Sequence, residues 1–403
     1  MSAAIELALF ALTTVSAIVW LILIFFRGGF WRDGPYISAN LPAPHDWPDV
    51  VAVIPARNEA ETIGETIASI SSQDYPGAFS IIVVDDQSDD GTQERARNAA
   101  TSARKMNIVL GSPLPEGWSG KMWAVAQGIA AADREAPDAA YVLLTDADIV
   151  HAPTVLRRLV SKAEHGKLAL VSHMVMLRCD SFWEHLLIPA FIFFFKKLYP
   201  FGWINDPRNP TAGAAGGLML VRRDALRGVG GIEQIKHEII DDCALARAIK
   251  QDGPIWLGVT KASHSLRRYE RLSDIWNMVT RTAFVQLKHS LWLVVGTILG
   301  MAIIYMAPPV LVVIGLFGDS LHIAVLASVV WLAMMASYVP TLRLYDRPIW
   351  WALLLPVAGF LYTCMTVASA YRSLAGAGPR WKDRDYGAQD VSQKNETGSV
   401  HRG

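Results

Sequence analysis

Between Leu291 and Leu342 the chain carries one charged side chain, Asp319. About 20 apolar residues in a helix cover the ~30 Å hydrocarbon core of a bilayer. Two further stretches are as poor in charge: residues 5–26 hold only Glu6, and residues 348–371 hold none. Over the whole 403-residue chain, charged residues make up 18%, against about 25% in an ordinary soluble domain. The deficit sits in these three regions, so the chain is expected to combine membrane helices with a charged, soluble middle. Lys and Arg total 37, Asp and Glu also 37. That balance excludes the basic footprint of a nucleic-acid binder, and no nucleic-acid partner is expected. Cys179, Cys243 and Cys364 are too scattered for a disulfide framework or a metal site.

The spans have readable flanks. No Lys or Arg precedes residues 5–26 and no small-residue cleavage site follows, so residues 1–27 read as an uncleaved anchor. Arg27 and Arg32 place its following side in the cytoplasm. Residues 291–372 supply three more apolar segments, at 291–317, 323–342 and 349–371. If all three cross, the tail of residues 373–403 ends outside. Yet Arg372, Arg380, Lys382 and Arg384 favour the inside. Pro308 and Pro309 interrupt the first segment, which makes a re-entrant or interfacial element among the three an open alternative. Three or four spans fit. Residues 181–204 are rich in Phe and Trp but are broken by Glu184, Lys196 and Lys197. They are expected to lie in the headgroup plane, with a buried core helix as the alternative. Residues 271–290 read as a second amphipathic interfacial helix.

The middle, residues 45–270, alternates short apolar runs with helical patterns. Strands are expected at 50–54, 80–84, 107–110, 141–144 and 168–176, with helices between them. This predicts a mostly parallel sheet with covered faces, whose ligands bind beyond the carboxyl ends of the strands. Two of the strands end in acidic clusters, Asp85-Asp86 and Asp146-x-Asp148. Two carboxylates spaced in that way hold a hard divalent cation that also bridges substrate phosphates. A D-x-D alone is a weak signal. Asp85 and Asp86 can accept from a base N–H or a ribose hydroxyl, while Asp89 and Asp90 read as the turn and cap of the next helix. Lys121 opens a helix, where its charge opposes the dipole unless it meets an anion. Asp242 precedes another helical run, either as its cap or as a general base. No P-loop, H-E-x-x-H or G-x-S-x-G motif is present.

Taken in order, the PARNE loop at 55–59, IIVVDDQSDDGT, GWSGKMWAVAQG, LLTDADI and IIDDCALARAIK resemble the family 2 inverting glycosyltransferases. The resemblance covers about residues 50–290. SFWEHLLIPAFIFFFKKLYPFGWINDP and TAGAAGGLMLVRR look closer still to the hopanoid-biosynthesis-associated membrane glycosyltransferases of bacteria. The resemblance implies a GT-A, Rossmann-like α/β domain between an N-terminal anchor and C-terminal transmembrane helices. It implies that Pro55, Arg57, Asn58 and Glu59 form the first nucleotide loop, and that Asp85 and Asp86 bind base and ribose. Lys121 would face the nucleotide, and Asp146 and Asp148 would hold Mg²⁺ or Mn²⁺ on the diphosphate. Gly216 and Gly217 would leave room for sugar and acceptor, and Asp242 would be the catalytic base, with Asp241 where relatives usually carry Glu. Relatives often carry Q-x-x-R-W after the base. Here Ser265-Leu-Arg-Arg268-Tyr269 stands in its place, and the resemblance assigns the diphosphate contact to Arg268.

The implied activity is transfer of a sugar from a nucleotide-linked donor, expected to be uridine-linked, to a membrane lipid, hopanoid-related, at the cytoplasmic face of the bacterial inner membrane. A processive polysaccharide synthase and a non-catalytic membrane scaffold are the alternatives. The missing Gln and Trp argue against the synthase, and the intact acidic set argues against the scaffold.

Overall fold

The computed structural model describes residues 2–100 and 104–376, and the backbone of 380–381 and 384–385. The rest of the 373–403 tail, with Lys382 of its basic motif, lies outside the described residues.

Eight strands form one sheet: β1 (Val50–Ala56), β2 (Phe79–Asp85), β3 (Lys105–Leu110), β4 (Tyr141–Thr145), β5 (Ile149–His151), β6 (Leu170–Met176), β7 (Leu218–Arg222) and β8 (Ile255–Ser265). Around them run α1 (Ala3–Phe26), α2 (Ile63–Ser71), α3 (Thr92–Ala99), α4 (Gly120–Glu135), α5 (Val155–Gly166), α6 (Phe182–Leu198), α7 (Phe201–Ile204), α8 (Arg223–Gly228) and α9 (Asp241–Lys250). They are followed by α10 (Leu272–Gln286), α11 (Leu291–Met301), α12 (Ala307–Phe317), α13 (Leu321–Leu344) and α14 (Leu355–Leu374). The strand order is β3-β2-β1-β4-β7-β6-β8-β5. β7 runs antiparallel to β4 and β6, and β5 antiparallel to β8, while the other pairings are parallel. The five expected strands are present. Sequence reading missed β5, β7 and β8.

β1 shows why its sequence is a continuous apolar run. Val51 and Val53 point into one core layer with Val84, while Val50, Ala52 and Ile54 point into the other with Ile81 and Val83. A strand buried on both faces has no polar side to alternate with. On one face Gly128 lets α4 lie close to the sheet, since a Cβ there would overlap Val53.

The link between β4 and β5 decides the shape. Thr145 and Ile149 are four Cα steps apart, at most about 14 Å. In a flat sheet their strands would lie four spacings apart, about 19 Å. The sheet therefore curls, and Asp146-Ala147-Asp148 spans the mouth of the curl.

The aromatic stretch expected in the headgroup plane forms α6, and most of it is buried. Leu187, Ile188, Ile192 and Phe193 are fully enclosed. Pro189 lies inside this helix, at a cost of about 3 kcal/mol. Burying four such side chains contributes about 1.5–3 kcal/mol each and outweighs it. A capping box between Ser181 and Glu184 fixes the start of the helix. α6 lies between the sheet domain and α10, α13 and α14.

Four helical segments are long and apolar enough to cross a membrane: Ala3–Phe26, Leu291–Phe317, Leu321–Leu344 and Ile349–Leu374. The prolines at 308 and 309 do not break the second. A π turn at Ala302–Met306 precedes them. Pro308 cannot donate to the carbonyl of Ile304, and Trp20 of α1 donates to it instead through Nε1 at 2.9 Å. Ser16 donates to the neighbouring carbonyl of Ile303 at 2.8 Å. The proline defect thus becomes a docking point for α1.

Candidate active site

Besides the start of α4, which brings Lys121, five segments supply the polar side of one cavity of about 340 Å³. They are the loop after β1, the link after β4, the residues before β7, the start of α9 and the strand end after β8. Its polar walls include Pro55, Glu59, Lys121, Asp146, Asp148, Gly216, Gly217, Asp241, Asp242 and Arg267. Met174, Val175, Leu177, Phe191 and Phe195 line an apolar part, and Tyr269 and Arg281 also face the cavity.

Asp242 stands in the first turn of α9. Its carboxylate accepts the backbone N–H of Gly216 at 2.8 Å through one oxygen and that of Cys243 at 2.7 Å through the other. Burial, reinforced by the charge of Asp241, raises its pKa to about 6, against the opposing pull of Lys121 and the two backbone donors. A Cβ at Gly216 would sit 3.4 Å from Oδ2 of Asp242 and 3.6 Å from Nζ of Lys121. The absence of a side chain there keeps the approach to both groups open.

Lys121 lies in the first turn of α4, whose cap Ser119 accepts from the N–H of Met122. Its ammonium is 2.9 Å from Asp146 and 3.4 Å from Asp241. Burial alone would lower its pKa, but the carboxylates of Asp146 and Asp241 outweigh that and hold it raised and protonated. Arg267 does the same on the other side. Its Nε donates to Asp148 at 2.8 Å, and its Nη2 donates to Glu59 at 2.8 Å. Burial opposes its charge, yet Asp148 and Glu59 raise its pKa further above the usual arginine range.

Behind the D-x-D lies a neutral support. His151 sits between Thr145 Oγ1 at 3.0 Å and Ser263 Oγ at 2.9 Å. Burial, with His264 nearby, pushes its pKa down to about 3. Thr145 donates to the carbonyl of Gly217 at 2.9 Å, so the network joins β4, β5, β7 and β8 beneath the site.

The nucleotide-loop residues divide. Pro55 and Glu59 reach the cavity, whereas Arg57, Asp85 and Asp86 are not among its walls. Asp85 pairs in register with Ala56. Asp86 is fully buried, and Arg57 donates to its carbonyl and lies 3.8 Å from its carboxylate. The two loops are stitched together: Asn58 N–H donates to Ser88 Oγ at 3.0 Å, and Glu59 N–H to Thr92 Oγ1 at 2.8 Å. Asp90 accepts the N–H groups of Thr92 and Ala60, each at 3.0 Å, while the cap position of α3 itself is Gly91 rather than Asp89 or Asp90.

Arg268 is the residue the structure relocates. It is exposed and pairs with the exposed Glu270 at 3.4 Å, while its neighbour Arg267 occupies the cavity. The extended chain after β8 turns successive side chains to opposite sides. The register is set by Ile149 opposite Ser265 and by Leu266 N–H on the carbonyl of Asp148 at 2.8 Å. Sequence reading passed over Arg267, and the pair Arg267-Arg268 offered no signal to choose between them. Asp241, noted only as a departure, is brought against Lys121.

Among the described residues no group of three or more His, Cys, Asp or Glu forms a metal cage. Mg²⁺ commonly needs only one or two carboxylates and completes its shell with phosphates and water. Asp146 and Asp148, hard oxygen donors at one cavity wall, fit that requirement.

A curled, mostly parallel sheet with carboxylates at its carboxyl ends is the GT-A type of α/β fold. Residues 51–230 match the model of Glycosyl transferase family 2. An N-acetylglucosaminyltransferase of Mesorhizobium japonicum is 36% identical over 136 residues, covering 32% of this chain and 29% of the relative. Glycosyltransferase AglE of Haloferax volcanii is 39% identical over 64 residues, covering 16% of this chain and 21% of the relative. The chain thus spans less than a third of the length of either relative. The mannosyltransferase PcManGT of Pyrobaculum calidifontis, solved with GDP-Man and Mn²⁺, superposes with a TM-score of 0.48 at 20% identity, covering 91% of this chain and 99% of its own.

Proposed function

We propose that this protein is an inverting glycosyltransferase that moves a sugar from a nucleotide-linked donor, uridine-linked in our reading, to a hydroxyl of a membrane lipid. The acceptor is read as hopanoid-related, from the sequence resemblance. The site is placed at the cytoplasmic face of a bacterial inner membrane, on the strength of Arg27 and Arg32 behind α1. One observation carries the reading: a single cavity holds a raised-pKa carboxylate, Asp242, together with a charged end and an apolar wall.

In this reading the donor diphosphate lies at the charged end. Lys121 and Arg267 present positive charge there, where charge develops on the departing diphosphate. Asp146 and Asp148 would hold Mg²⁺ or Mn²⁺, which supplies charge neutralisation to the leaving group. Pro55, Arg57, Glu59, Asp85 and Asp86 are assigned to the nucleoside side. Gly217 and Gly216 leave space for the transferred sugar. Asp242 takes the proton of the acceptor hydroxyl, and the oxygen attacks the anomeric carbon from the face opposite the diphosphate. The bond to the diphosphate breaks with its electron pair, and the configuration inverts. Asp242 is suited to this task because a base with pKa near 6 is mostly ionised at pH 7 yet still basic enough to accept a proton. Phe191, Phe195 and Leu177 would seat the apolar part of the acceptor.

The test is a donor screen. Purified full-length protein in detergent is incubated with Mn²⁺, a bacterial lipid extract and radiolabelled nucleotide sugars. Label is expected in the organic phase and is lost in Asp242→Asn. Donor binding without labelled lipid from any donor would overturn the assignment in favour of a non-catalytic scaffold.

A further inference from the structure

The fourth apolar segment has its two ends on the same side. The other three run from the sheet domain to a common far end. There, Ser320 at the α12–α13 turn donates to Glu6 of α1 at 3.1 Å, and His322 lies 3.6 Å from it. At the domain end, Arg27 after α1 donates to the carbonyl of Lys197 at 3.0 Å. Lys261 of β8 pairs with Asp346 after α13 at 2.9 Å. Val294 near the start of α11 packs with Phe284 of α10.

Residues 349–374 behave differently. At their start, Arg347 lies 2.7 Å from His185 of α6, and Trp351 packs on His185 and Phe182. At their end, Arg372 donates to Asn277 at 3.2 Å and to Thr280 at 3.0 Å, both on α10. Ser369 donates to the carbonyl of Thr280 at 2.6 Å and accepts from Phe284 N–H at 3.0 Å. Both ends therefore lie on the domain's side, one against α6 and the other against α10, the helix that follows β8.

Between them the segment goes deep. Gly359 packs against Tyr305 and Met306, in the middle of the Leu291–Phe317 span, and Ala370 packs with Val294 near the start of that span. The two pairs are separated by equal lengths of chain on both helices, so α14 runs antiparallel to α11 and rises toward the domain. The rise between the pairs is about 16 Å at 1.5 Å per residue, roughly half of the ~30 Å hydrocarbon core. A 3-10 turn at Ile349–Leu354 takes the chain down, and α14 brings it back. The prolines at 348 and 356 bracket that turn.

The charge pattern agrees independently. Arg27, Arg32, Arg343, Arg347 and Arg372 all lie at the domain end, while the far end carries Glu6 and Asp319 and no Lys or Arg.

We propose that residues 349–374 form a re-entrant hairpin that enters and leaves the bilayer on the domain's side. The chain then crosses three times. The exposed apolar face of the hairpin, with Val357, Phe360 and Val367, meets the acyl chains of the near leaflet, continuous with the lipid-facing surface of α11. Non-crossing backbone at this depth is tolerated because it is buried against α6, α11 and α13.

The experiment uses the full-length protein in membranes of the expression host. Green fluorescent protein reports a cytoplasmic position and alkaline phosphatase an external one. Each is fused at the N-terminus, at the Asp319 turn and at the C-terminus, and the domain's side is read by protease accessibility in oriented vesicles. The C-terminus is expected on the domain's side, with the N-terminus and the Asp319 turn opposite. A C-terminus on the side of Asp319 overturns the proposal. A second readout measures depth, in a background with Cys179, Cys243 and Cys364 replaced by alanine. A fluorophore at Phe360→Cys is expected to be quenched most by nitroxides placed deep in the acyl chain, and one at Leu374→Cys by headgroup nitroxides. Headgroup-depth quenching at both positions would mean a surface helix and would equally overturn re-entry.

Discussion

Oδ2 of Asp242 accepts the backbone N–H of Gly216 at 2.8 Å. This bond fixes the carboxylate at the start of α9 against the small-residue loop that precedes β7, so the proposed base and the proposed sugar space are held by one contact. Asp242→Asn keeps the size of the side chain and removes the base. It should lower transfer by about 10²–10⁴-fold, with donor affinity retained. Single-turnover transfer and donor titration on the same preparation check the split.

The pH profile follows from the raised pKa of Asp242, which is about 6. The base acts ionised, so transfer should fall as pH drops through about 6 and level off above it. An acid limb centred near 4 would mean that the carboxyl is not desolvated as described. Asp242→Asn should remove this limb from any residual rate.

Asp148→Ala removes one of two candidate metal donors and releases Arg267 from its partner at 2.8 Å. Donor affinity should lose its dependence on Mn²⁺. Affinity that still rises with Mn²⁺ as in the parent protein would count against Asp148 as a ligand.

The neighbouring arginines should separate cleanly. Arg267 spans Asp148 and Glu59 inside the cavity, and its loss removes the cation that both carboxylates share. Arg267→Ala should reduce transfer by about 10²-fold or more, as for other groups placed against developing charge. Arg268 pairs with Glu270 on the surface, and exposed pairs contribute about 0–1 kcal/mol. Arg268→Ala should leave both rate and melting temperature nearly unchanged.

Glu184 ties α6 to the site. Its Oε1 accepts the N–H of Tyr269 at 2.7 Å, and its Oε2 accepts those of Asp180 at 2.9 Å and Ser181 at 2.8 Å. Burial works against its charge, but these donors outweigh it and hold the pKa below the ordinary 4.5. A depressed carboxyl pKa stabilises the fold above the unfolded value, and that stability is lost as pH falls through the folded value. Glu184→Ala should cost about 3 kcal/mol, since buried donors are left unsatisfied. The loss, measured by thermal unfolding, should shrink in strong acid.

Much of this was legible in the sequence, for definite reasons. Strands buried on both faces read as unbroken apolar runs, so residues 50–54 and 80–84, within β1 and β2, stood out. The spans stood out because lipid tolerates almost no charge. Asp146, Asp148, Asp242 and Lys121 were visible because their motifs are local in the chain. What the tertiary structure alone decided depends on long-range register. β7 and β8 are recruited into the sheet by pairing with β4 and β6, across long stretches of chain. The curl brings Arg267 rather than Arg268 to Asp148, because the pairing of β8 with β5 fixes which side each residue faces. The Phe-rich run of α6 carries the same hydropathy whether it rests on lipid or on protein, and only the packed helices on its other face make it core. Segment 349–374 is long and apolar enough to cross. Length and hydropathy set what lipid will accept, and contacts at both ends set where the chain goes.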